Sequence, residues 1–92
     1  RLDHFPEVFL DMPNITHLNI DTNYISEVPT RIYEMHNLKG FSLEANRVTG
    51  FPPDIRLLSN TLERLHVSGN PLPADQIDSL KLWLPNTDLF HD

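Results

Sequence analysis

The chain has 92 residues, 39% of them hydrophobic, which is enough for a core, and a formal net charge of −6. A chain this short makes one domain and buries only about 60–65% of the surface that its unfolded form exposes. The acidic balance argues against nucleic acid or an anionic membrane as the main partner, because both need a clustered basic face.

Cysteine is absent. That rules out Cys-ligated metal and a Cys nucleophile, and it leans toward a reducing compartment, the cytoplasm. No apolar run approaches the roughly 18 residues of a membrane span. The first residue is Arg1, not Met, which reads as a processed or excised fragment of a longer chain.

Residues 1–14 read as the end of a truncated unit. Phe5-Pro6 is followed by Phe9 and Met12, whose i, i+3 spacing puts both on the inner side of a helical turn. In Ile15-x-x-Leu18-x-Ile20 the apolar residues alternate with polar Asn19, the period of a half-buried strand, here Thr16–Asp21. Asn23 ends that segment. Val28-Pro29 then opens an arc, Pro29–Asn37, with Ile32 and Met35 inward.

The same order returns in Leu38-x-x-Phe41-x-Leu43, Asn46, Phe51-Pro52 and the arc Pro52–Thr61, with Ile55 and Leu58 inward. It returns again in Leu62-x-x-Leu65-x-Val67 and Asn70. Asn23 and Asn46 lie 23 residues apart, and Asn46 and Asn70 lie 24 apart. The units are therefore 15–37, 38–61 and 62–72. Residues 73–92 differ. Ala74–Leu84 reads as a helix with Ala74, Ile77, Leu80 and Leu84 on one face and Trp83 beside it. Asp75 and Asp78 come early and Lys81 late, as the helix dipole prefers, and Pro85 stops the helix. Leu84-x-x-Thr87-x-Leu89-x-x-Asp92 keeps the repeat spacing with Thr and Asp in place of Leu and Asn, and Asp88–His91 reads as a last strand.

The pattern L-x-x-L-x-L-x-x-N-x-L at a 20–29 residue period is that of leucine-rich repeats. This sequence resembles that family over nearly its whole length, through Ile15–Ile25, Leu38–Val48 and Leu62–Leu72. The resemblance implies an α/β solenoid. A short parallel sheet would line its concave side and helical turns or short helices its convex side. Residues 73–92 resemble a Cys-free C-terminal cap, a capping helix and a final short strand. One repeat cannot bury its apolar side alone, whereas stacked neighbours form a continuous core. The first strand would then show an unpaired edge, which proteins normally cover, so further repeats are expected upstream.

Asn23, Asn46 and Asn70 are the expected structural ladder. A buried amide can satisfy both the donors and the acceptors of a turning backbone. Replacing Asn46 with Leu is expected to cost on the order of 1–3 kcal/mol.

Alternation assigns His17, Asn19, Asp21 and Thr22 to the outer face of the first strand. Gly40, Ser42, Glu44 and Ala45 follow on the second, Arg64, His66, Ser68 and Gly69 on the third, and Asn86, Asp88, Phe90 and His91 on the last. One column reads Asp21, Glu44, Ser68, Phe90. Its like charges on neighbouring strands cost a few tenths to about 1 kcal/mol. A solvated, salt-screened surface is the ordinary reading of that pair, and a contact for a basic partner is the second. A metal site completed by His66 is disfavoured, because it would need three or four convergent ligands. With three glycines and no basic-aromatic interleaving, the chain offers neither a phosphate loop nor a single-strand platform. No catalytic group, cofactor or metal is expected.

The resemblance implies a monomeric, non-enzymatic module that binds a protein or peptide on its curved face. The expected contacts are His17, Asn19, Asp21, Ser42, Glu44, Arg64 and His66. The alternatives are a structural cap of a longer array and the targeting domain of a larger enzyme.

Overall fold

The computed structural model describes residues 1–92. Each apolar–polar alternation forms a short strand: β1 (His17–Asn19), β2 (Gly40–Ser42), β3 (Arg64–His66) and β4 (Asp88–Phe90). The four pair in sequence order, all parallel, with Leu18 opposite Phe41, Phe41 opposite Leu65 and Leu65 opposite Leu89. The strands are shorter than the alternation suggests, yet the ladder continues past their ends. Ile20 N–H donates to Ser42 O at 2.9 Å, Thr22 N–H to Glu44 O at 2.8 Å and Leu43 N–H to His66 O at 3.0 Å.

The return arcs are 3-10 turns, η1 (Glu7–Asp11), η2 (Thr30–Glu34) and η3 (Pro53–Leu58). Each is entered through an extended proline, Pro6, Pro29 or Pro52. A proline fixes φ and gives no N–H to an earlier turn, and so short an arc closes most economically with i→i+3 bonds. Ile32, Met35, Ile55 and Leu58 are buried, as their spacing predicted. The first arc departs from the expectation: Met12 is 47% exposed, Phe9 is half-buried and Leu10 is the buried residue. The only arc packed against η1 is η2, and in that one-sided setting Leu10 takes the inward place.

The core is a continuous cluster of 20 buried hydrophobic residues running through every unit. Phe41 lies at its centre, with the Phe5 ring edge-on to it at 6.3 Å. The only buried polar residue is Asn46. Its Oδ1 accepts the Ile25 N–H at 3.1 Å, and its Nδ2 donates to Leu43 O of its own unit and Ile20 O of the preceding one, both at 3.0 Å. Asn70 repeats the pattern, with Oδ1 on Val48 N–H at 2.9 Å and Nδ2 on Val67 O and Leu43 O at 3.0 and 2.9 Å. Asn23 accepts the Leu2 N–H at 2.8 Å but donates only within its own unit, to Ile20 O and Asp21 O. Each amide thus joins the turn of its own unit to the unit before it.

The residue preceding each asparagine is left-handed: Thr22 at φ 59°, Ala45 at 55° and Gly69 at 76°. The chain must bend there to bring the Asn inward, and only glycine adopts that conformation without steric cost. One position further on, Tyr24 is held between two arginines, 5.4 Å from Arg1 and 4.4 Å from Arg47. These residues occupy the same place in three successive units, and guanidinium–ring contacts of this kind add to the stacking.

The last unit replaces its arc with an α-helix, α1 (Ala74–Trp83). Leu80 and Leu84 are buried, and Ile77 and Trp83 pack against the core from its edge. Ala74, expected on that face, is exposed instead. At that end the helix meets the stack through Gln76, whose Oε1 accepts the Phe51 N–H at 3.2 Å. The register that sets Leu89 opposite Leu65 places Thr87 level with Glu63, and not, as the spacing suggested, in the place of the repeat's Leu; its hydroxyl donates to Leu62 O at 2.7 Å. Asp92, expected in the place of the repeat's Asn, is by the same register level with Ser68, two residues short of it, and accepts the Gly69 N–H at 2.8 Å through Oδ2. No helix is long and apolar enough to cross a membrane.

Candidate functional site: the concave sheet face

Because side chains alternate along a strand, the outward residues of four parallel strands form rows across the sheet, about 4.8 Å from strand to strand. The first row is His17, Gly40, Arg64, Asp88, and the second is Asn19, Ser42, His66, Phe90. Asp21, Glu44 and Ser68 form the third. Phe90 therefore stands beside His66 and not, as the expected column had it, at the end of the Asp21 row. The expected column placed Phe90 22 residues after Ser68, whereas β3 and β4 are offset by 24, and those two residues are one row.

In the first row the His17 ring lies across Gly40, so close that a Cβ there would come 2.8 Å from His17 Cδ2. The ring reaches Arg64, whose Nη2 donates to His17 Nε2 at 3.2 Å. A guanidinium only donates. Nε2 is therefore the acceptor, and the ring proton sits on Nδ1, 3.1 Å from Thr16 Oγ1. Arg64 also approaches the Glu63 carboxylate at 3.6 Å, beyond hydrogen-bond length.

In the second row the His66 and Phe90 rings stack at 4.4 Å and 8°. Phe90 is 43% exposed, so this flat aromatic surface faces solvent. Asn19 turns its Oδ1 back to accept the Asp21 N–H at 2.9 Å. Asp21 and Glu44 do not meet as two bare charges. Asp21 Oδ1 accepts both the Ser42 hydroxyl and the Glu44 N–H at 2.7 Å. The like-charge neighbour thus supplies a donor from its own backbone, and Asp21 fastens β1 to β2.

Of the seven expected contact residues, His17, Asn19, Ser42, Arg64 and His66 line one depression of about 190 Å³ floored by Gly40 and Phe41. Asp21 and Glu44 lie outside it. Larger hollows occur away from the sheet, one of about 330 Å³ between Asp3–Glu7 and Ser26–Pro29 and two beside Asp11–Pro13. No group of three or more His, Asp or Glu side chains is gathered as metal ligation would require. Residue-type reasoning missed Phe90 and Gly40. The signal for Phe90 was present in the Leu65-to-Leu89 spacing of 24, which carries His66 onto Phe90. Gly40 matters through what it lacks, and that becomes visible only when its neighbours are placed.

No protein-family model matches the sequence. Among solved structures, the chain is similar to the leucine-rich-repeat protein LIC12759 of Leptospira interrogans, with a TM-score of 0.90 and 25% sequence identity. The match covers 97% of this chain and 22% of that one, so the chain spans about a fifth of its structural neighbour's length. The neighbour reproduces the same backbone path over nearly every residue, and the chain is a leucine-rich-repeat solenoid in fold.

Proposed function

We propose that the chain is a non-enzymatic interaction module that holds a protein or peptide partner on its concave sheet face. The reading moves from fold to function by analogy. The observation that carries it is the row Asn19, Ser42, His66, Phe90, a solvent-facing strip of polar and aromatic groups on a sheet whose backbone is paired from β1 to β4. Aromatic residues on a rigid scaffold supply contact area at low entropic cost.

The test is capture from an extract of the source cells with three immobilised baits of matched thermal stability. One is the chain itself. The second carries Asn19→Arg with His66→Ala on the sheet face, and the third carries Leu57→Ser with Leu82→Ser, two exposed residues away from the sheet. A protein held by the first and third baits and lost from the second supports the proposal. Retention of the same protein by the sheet-face variant defeats it. A second reading, that the chain closes a longer array, is favoured by the Thr87 and Asp92 bonds to the preceding unit. It predicts no capture by any of the three baits.

A further inference from the structure

The concave face is not uniformly acidic, although the chain as a whole is. The third row carries Asp21 and Glu44, about 13 Å from Arg64's row and about 7 Å from the second row at roughly 3.3 Å per residue. Asp21 is neutralised in part by the Ser42 hydroxyl and the Glu44 N–H that it accepts. The residues that line the depression over Gly40 include one cation, Arg64, and no carboxylate. Arg64 stands on its wall, held toward His17 and making no ion pair with Asp88, its neighbour in the row. It keeps a loose, exposed ion pair with Glu63 at 3.6 Å, too long for a hydrogen bond. Most of its five N–H donors are therefore uncommitted. The Asn19 amide also lines the depression, and it has spent only its oxygen, on the Asp21 N–H. The stacked His66 ring closes one side.

Donors with no acceptor on both sides of a small hollow fit a planar anion. We propose that the depression over Gly40 seats a carboxylate side chain, Asp or Glu, of the protein partner. Arg64 is its ion-pairing group and the Asn19 Nδ2 its second donor. The incoming carboxylate replaces His17 Nε2 as the acceptor for Arg64 Nη2, and His17 swings aside. This assignment rests on the proposal that the sheet face holds a protein.

The experiment is an NMR titration of the 92-residue chain with N-acetyl-Ala-Glu-Ala-amide, its Gln counterpart, and inorganic phosphate. The Glu peptide is expected to shift the amides of Gly40, Phe41 and His66 saturably in the millimolar range, and the Gln peptide to leave them in place. Arg64→Gln should weaken the Glu peptide about tenfold or more, the usual scale for one lost charge-assisted bond. Gly40→Ala should weaken it as well. Its new Cβ displaces only the far end of the flexible His17 side chain, so the fold is kept while the hollow narrows. Equal shifts from the Glu and Gln peptides would overturn the proposal, as would an unchanged Glu affinity in Arg64→Gln. Saturation by phosphate without response to the Glu peptide would also overturn it, in favour of a free-anion site. Loss of capture in the Asn19→Arg, His66→Ala bait together with a failed titration would leave the sheet-face reading standing and remove the carboxylate seat alone.

Discussion

Removing the Asn46 amide gives the sharpest test of how the units are joined. In Asn46→Leu the Ile25 N–H loses its acceptor, and the Ile20 and Leu43 carbonyls lose a donor. At about 1 kcal/mol of net stability per bond, the loss is about 3 kcal/mol, before any added penalty for leaving those backbone groups dry. A chain of this size is stabilised by only about 5–14 kcal/mol in total, so the variant gives up a substantial fraction. At about 5 °C per kcal/mol, its melting temperature should fall by about 15 °C. Urea unfolding followed by both Trp83 fluorescence and far-ultraviolet circular dichroism measures the change and checks that the two probes coincide. Asn23→Leu is the matched control. Asn23 also makes three bonds, but its tie to the earlier unit, through the Leu2 N–H, is exposed and its amide is half-buried, so water replaces much of what is lost and the cost should be no more than about 1.5 kcal/mol. Equal losses in the two variants, or a change below about 1 kcal/mol in Asn46→Leu, would refute the account of the buried Asn46 amide as the stronger tie between units.

Two further outcomes follow from local geometry. Gly69→Ala combines a left-handed φ of 76° with a Cβ placed 3.0 Å from the Ala45 backbone nitrogen, so a loss of about 1–2 kcal/mol is expected in chemical denaturation. Thr22→Gly at the equivalent position relieves a β-branched residue and should gain about 0.5 kcal/mol after the entropy of the added glycine is counted. Arg31 donates to Glu34 at 2.8 and 3.0 Å, and this holds the Glu34 carboxyl below the ordinary glutamate range. A depressed carboxyl lends stability above its unfolded pKa and loses it as pH falls through its folded pKa. Glu34→Gln should therefore melt as the parent does in strong acid, where the carboxyl is protonated in both, and fall slightly behind it at neutral pH. A larger deficit in acid would contradict the pairing.

The period of the asparagines and the strand alternation were enough to read the solenoid from the sequence, because both follow from backbone geometry that every unit shares. The arcs were legible in their inward residues, Ile32, Met35, Ile55 and Leu58, and less so at the ends. Met12 and Ala74 have the right spacing but sit where the stack offers a neighbour on one side or makes contact through another residue. Spacing states which residues could face inward, and neighbours decide which ones do. The left-handed position could not be read at all, since Thr22, Ala45 and Gly69 share no chemistry that announces it. On the sheet face, alternation named five of the residues that line the depression. It gave Asp21 to solvent, whereas the carboxylate is committed to Ser42 and Glu44. A charge on a strand face says nothing about whether a backbone N–H on the next strand is waiting for it.

The choice of 3-10 turns over α-helices on the arc side bears on curvature. A 3-10 turn is wound more tightly than an α-helix, so the first three units are less bulky on the arc side than the last. Slabs of even thickness stack almost straight, whereas wedge-shaped units bend the stack into a tight horseshoe. Only α1, at the C-terminal end, is bulkier on the outside than the strand it serves. Such a stack has a sheet closer to a shallow trough than a hook, and a partner held there, as proposed above, would be one laid flat across consecutive strands, not a rounded body clasped within an arc.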